Sequence, residues 1–73
     1  MANSVIQEDQ CSRAKTALAA SPLYALRELQ VERLGDSILI SGRVDSFYHS
    51  QLAQEAVRQV VRGVKVVNSI DVS

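Results

Sequence analysis

The 73-residue chain has no tryptophan, one cysteine, one proline and one histidine, and its formal charge is zero, with eight basic residues against eight acidic. Each shortage excludes something. A single cysteine, Cys11, forbids an internal disulfide and leaves the redox compartment unread. A single histidine, His49, falls short of the about four ligands of a closed zinc site or the about three of a catalytic one. Cys11 could add a second ligand, but carboxylates would have to complete the set, so His49 reads as a solvated helix-start residue. Cys11 falls on an apolar helix stripe, where buried thiols are usually inert, which argues against a Cys11–His49 nucleophile pair. Balanced charge supplies no long-range field toward nucleic acid, and none is expected as a partner. The opening residues lack a basic segment followed by an apolar one, and no apolar run approaches the ~20 residues of a membrane span. The expectation as given is a cytoplasmic protein, with the periplasm or envelope as the setting if the chain belongs to a longer precursor.

The three glycines, Gly35, Gly42 and Gly63, are too scattered to cradle a phosphate. They read instead as a turn, a bulge or close approach, and a helix cap. No base, nucleophile and orienting group occur together, so no enzyme and no cofactor are expected.

What remains is patterned almost throughout. Asn3 or Ser4 can cap a leading helix over about 4–20, with Cys11, Ala14, Ala17 and Leu18 as its narrow apolar stripe. Ser21-Pro22 ends it, because proline disfavours helical geometry in the residue before it. Leu29 and Val31, then Ile38, Ile40 and Val44, alternate with polar residues around Gly35-Asp36, the pattern of a hairpin with one face buried. Ser46 can cap a second helix whose apolar face is Leu52, Ala53, Ala56, Val57 and Val60, with Gly63 as its left-handed stop. From Val64 to Val72 the alternation returns, with Val64, Val66, Asn68, Ile70 and Val72 inward, and the helical crossover makes this strand parallel to the one before it. Asn68, an amide on that inward face, is expected to be buried and hydrogen-bonded, to backbone at the sheet edge or to a helix end.

Taken together, Leu29-x-Val31, Ile38-x-Ile40-Ser41-Gly42-x-Val44-Asp45-Ser46, Ala53-x-x-Ala56 and Val66-x-Asn68-x-Ile70 resemble the BON domain, the bacterial osmotic-stress and nodulation domain. Each motif alone is common, whereas Ile-Ser-Gly-x-Val-Asp-Ser followed by Val-x-Asn-x-Ile is more specific. Two departures are local: the glycine at the end of the second helix is shifted by one, and the turn reads Gly-Asp rather than a polar residue followed by glycine. The resemblance implies a single α+β domain over 1–73 with its core over about 24–73. Its fold would be an αββαβ two-layer sandwich, two helices packed on one face of a three-stranded mixed sheet. It also implies a non-enzymatic binding module that associates with phospholipid membranes or serves in envelope, secretion or channel proteins.

Two surfaces stand out as candidate contacts. Phe47 and Tyr48 occupy the opening turn of the second helix, where aromatics suit membrane interfaces and protein contacts alike. Phe47 reads first as a hydrophobic staple closing the helix start, while Tyr48 is evenly placed between packing and exposure. The second surface is the sheet face away from the helices, where Leu39 and Val67 point outward on neighbouring strands. A protein partner or a homodimer there would also support a domain this small. Arg58, Arg62 and Lys65 read as complements of the helix C-terminus. Arg62 lies about fifteen residues, roughly 22 Å along the helix, from the aromatics, too far to share one headgroup with them.

Overall fold

The computed structural model describes residues 9–73. In chain order these form α1 (Gln10–Ala19), α2 (Tyr24–Arg27), β1 (Gln30–Leu34), β2 (Ser37–Val44), α3 (Phe47–Arg58) and β3 (Lys65–Val72). The strands make one mixed sheet in the order β1-β2-β3, antiparallel between β1 and β2 and parallel between β2 and β3. This is the expected α+β arrangement, with one short helix added.

Local chemistry accounts for most boundaries. Asp9 is extended (φ −68°, ψ 136°), and its carboxylate accepts the Cys11 N–H at 3.4 Å, so α1 starts at Gln10. The expected caps Asn3 and Ser4 lie outside the described residues. One continuous helix from residue 4 to 20 is nevertheless ruled out by the extended Asp9, whose side chain caps the helix instead of entering it. The chain leaves α1 at Ala20, just before Ser21-Pro22. The single turn α2 was not foreseen; Leu26, 2% exposed, pins it to the core.

The hairpin turns on Gly35-Asp36, between Leu34 and Ser37. Gly35 has φ +59° and Asp36 does not have positive φ, the sign pattern of a type II′ turn. That turn fixes the register Val31↔Ile40 and Arg33↔Ile38, which sends Val31, Ile38 and Ile40 to the helix side.

Ser46 caps α3 as expected, its Oγ accepting the His49 N–H at 3.1 Å. The helix ends at Arg58, however, not at Gly63, which has φ +75° in the loop before β3. The reason lies in α1. Arg13 Nη1 donates to the Val60 carbonyl at 3.2 Å, and Gln10 Oε1 accepts the Arg62 N–H at 2.8 Å. Side chains of another helix thus hold the backbone groups that further helical turns would have used.

Ala14, Ile38, Ile40, Ala53 and Val57 are fully buried, and Leu18, Leu26, Leu29, Val31, Val44 and Val61 complete the centre with Cys11. Alanines at the centre of α1 and α3 leave no side-chain bulk beyond Cβ, which lets α1 sit low over β1 and α3 over β2 and β3. Coverage thins along β3. Val64, Val66 and Ile70 are only partly buried, Val72 is 38% exposed, and no residue of β3 is buried. Asn68 faces the helix side but is exposed, which corrects the expected buried amide. Its Nδ2 donates to Ser50 Oγ and Gln54 Oε1, each at 3.0 Å, and its Oδ1 accepts the Ile70 N–H at 3.0 Å. The amide is therefore satisfied by α3 and by its own strand, at the rim of the helix layer.

Candidate functional site: an aromatic pole and an open sheet face

The topology gathers several chain segments at one end of the sheet. Gln30, where β1 begins, pairs with Ser41 near the end of β2, so α2 and the start of α3 lie at the same end. Ala25 and Glu28 line one depression with Asp45 and His49 there. The last residue of β3, Val72, pairs with Val44 at this end too.

All three aromatic residues of the chain sit there. Tyr24 and Tyr48 are 67% exposed and Phe47 is 66% exposed, so none contributes to the core. The staple reading of Phe47 is thereby corrected. A staple packs against the fourth residue of the helix, which is Ser50, small and polar. The helix start is closed by Ser46 alone, and Phe47 is left to solvent.

The rings carry polar neighbours. The Arg27 guanidinium lies 5.4 Å from the centre of the Tyr24 ring, in reach of its negative face. A hydrogen bond with Glu28, and then the charge of that carboxylate, raise the Tyr24 pKa above its ordinary 10.0. Tyr24 therefore presents a neutral hydroxyl at physiological pH. Tyr48 stands beside His49, with ring centres 6.0 Å apart and tilted by 40°. His49 Nδ1 lies 3.4 Å from Asp45 Oδ1, but that approach misses hydrogen-bond geometry and the buried Nδ1 has no hydrogen-bond partner. Among the described residues no three His, Cys, Asp or Glu side chains gather as a metal-binding group. Cys11 is buried, its Sγ 3.8 Å from the Val31 carbonyl.

The other candidate residues occupy a different surface. Glu32, Leu39 and Val67 form one row across the sheet, on the side away from the helices. Leu39, on the central strand, is half-buried between its neighbours, and Val67 is 41% exposed. Leu34, 52% exposed, stands in the next row of the same face. The structure thus pairs Phe47 with Tyr48 and Leu39 with Val67, but does not join the two pairs. Tyr24 escaped the sequence reading, although a third exposed aromatic had a signal: it lies just past Pro22, where no periodic pattern claims it for the core. A separate depression of about 420 Å³ between α1 and the exit of α3 is lined by Arg13, Thr16, Gln59 and Val60. Arg62 lines it as well, so two guanidinium groups stand among the C-terminal helix ends there.

The family model of the BON domain matches residues 7–73, and the chain belongs to that family, whose members are small non-catalytic binding modules. No curated protein matches the chain.

Proposed function

We propose that this domain is a non-enzymatic module that associates with phospholipid membranes by setting its aromatic pole into the bilayer interface. One observation carries the reading: every aromatic ring of the chain is about two-thirds exposed, and all three stand at one end of the sheet. A small domain short of apolar area gains nothing for its own stability by leaving its largest rings in water. Rings that combine an apolar body with a polar tip suit the headgroup level. Around them Arg27 and Arg43 are offset by Glu28, Asp45 and Asp71, so the attraction rests on the rings more than on charge.

Sedimentation with phosphatidylglycerol–phosphatidylcholine vesicles tests this. The unsubstituted domain should pellet with vesicles and keep most of its binding at physiological salt, since apolar insertion is not screened. Phe47→Ser with Tyr48→Ser should weaken binding at least tenfold, because burying one such ring contributes about 1.5–3 kcal/mol. A domain that stays in the supernatant even at low ionic strength refutes the reading.

A second reading, contact with protein, is favoured by the outward Leu34, Leu39 and Val67 on the uncovered face. Single exposed aliphatics are ordinary, but three on adjacent rows beside an open edge strand form a surface that another chain can cover.

A further inference from the structure

We propose that β3 pairs edge to edge with β3 of a second copy of this chain, antiparallel and centred on Asn68, so that two three-stranded sheets become one of six. Three observations lead there. First, β3 is eight residues long yet is the only described element without a buried residue. Its inward Val66 and Ile70 are only partly covered and Val72 is 38% exposed, and a second sheet continuing past the edge would add to their cover.

Second, the backbone groups needed for pairing face outward. Lys65 N–H donates to the Asp36 carbonyl at 2.9 Å and Ser73 N–H to the Val44 carbonyl at 3.0 Å. In a parallel ladder alternate residues bond to the same neighbour, so the odd residues of β3 serve β2. Val66, Asn68, Ile70 and Val72 then turn their N–H and C=O groups to the free edge. Of these, the Ile70 N–H is held by Asn68 Oδ1 in the single copy. Pairing transfers it to the Val66 carbonyl of the second copy.

Third, the strand is complementary to itself in one register. Centring on Asn68 sets Lys65 opposite Asp71 and Val67 opposite Ser69 on the open face, and Val66 opposite Ile70 on the helix face, each pair twice by symmetry. Centring on Val67 sets Val66 against Asn68 and leaves Lys65 facing Ser69. Centring on Ser69 sets Val67 against Asp71 and Asn68 against Ile70. Only the Asn68 register joins opposite charges and matches apolar with apolar.

This surface is distinct from the aromatic pole, so failure of vesicle binding and failure of pairing are separate results. The test is a charge exchange read by sedimentation-velocity ultracentrifugation, with circular dichroism to confirm that each variant folds. Lys65 and Asp71 are both exposed, and the Arg43–Asp71 contact at 4.0 Å is solvated, so the exchange leaves the fold intact. The unsubstituted chain should form a concentration-dependent dimer. Lys65→Asp alone, or Asp71→Lys alone, puts like charges opposite each other at two places and should weaken the dimer roughly tenfold. The double exchange should restore it. A strict monomer overturns the proposal, whether the edge is left to water or taken by a strand of another protein. A dimer that ignores the charge exchange but is lost in Leu39→Lys lies on the open face and overturns it as well.

Discussion

Gly42→Val is expected to remove a large part of the domain's stability. Gly42 has φ +128°, where side chains rarely fit, and a Cβ there would stand 2.9 Å from Leu29 Cδ2 and 3.5 Å from Leu29 Cα. The backbone strain alone costs about 1–3 kcal/mol. Crowding the largely buried Leu29 adds about 1–3 kcal/mol, since Cδ2 must swing aside inside the core and valine brings two further methyl groups beyond Cβ. A chain of this length has only about 4–11 kcal/mol of stability in total, at 0.05–0.15 kcal/mol per residue. The sequence marked Gly42 for a bulge or a close helix approach; the approach is real, but Leu29, entering β1, makes it. Gly35 provides the comparison. Its φ is also positive (+59°), but nothing stands within 4 Å of a Cβ there, so Gly35→Ala should cost the backbone strain alone, about 1–3 kcal/mol. Urea denaturation followed by far-ultraviolet circular dichroism measures both. Equal losses at the two positions would mean that Leu29 does not press on β2.

The second large effect is expected from Ile40→Ala. Ile40 is fully buried at the middle of the central strand, between Val31 on one side and Asn68 on the other. Its loss should cost about 2–5 kcal/mol, the range for truncating a large aliphatic in a core that cannot collapse around the gap. Val67→Ala, on the next strand but outward, should stay within about 0.5 kcal/mol of the unsubstituted chain. The contrast reads the two-layer arrangement directly. If both truncations cost the same, the helices do not lie where the burial pattern puts them.

Much of this architecture could be read from residue order because its causes are local. Alternation over 29–44, the Gly35-Asp36 turn and the Ser46 cap each act within a few residues, and each appears in the structure as the sequence implies. The missed features have distant or weak causes. The end of α3 is set by Arg13 and Gln10, 47 and 52 residues away in sequence from the groups they bind. Four residues, the length of α2, are too few to show a period. Alternation also told which side of β3 faces the helices, but not how far the helix layer extends, and so Asn68 was expected buried where it is only shielded. The candidate contacts divide the same way. Phe47, Tyr48, Leu39 and Val67 could be placed from pattern, while Tyr24 joins the aromatic end only because α2 folds back beside the start of α3.

Keeping every ring on the outside has an optical consequence. With no tryptophan, the chain's ultraviolet emission comes from Tyr24 and Tyr48, which are already about two-thirds exposed in the native state. Melting the aliphatic interior should therefore change that emission little. Any ligand that settles on the two phenols should change it at once, giving a built-in reporter that is nearly blind to unfolding and sensitive to occupancy.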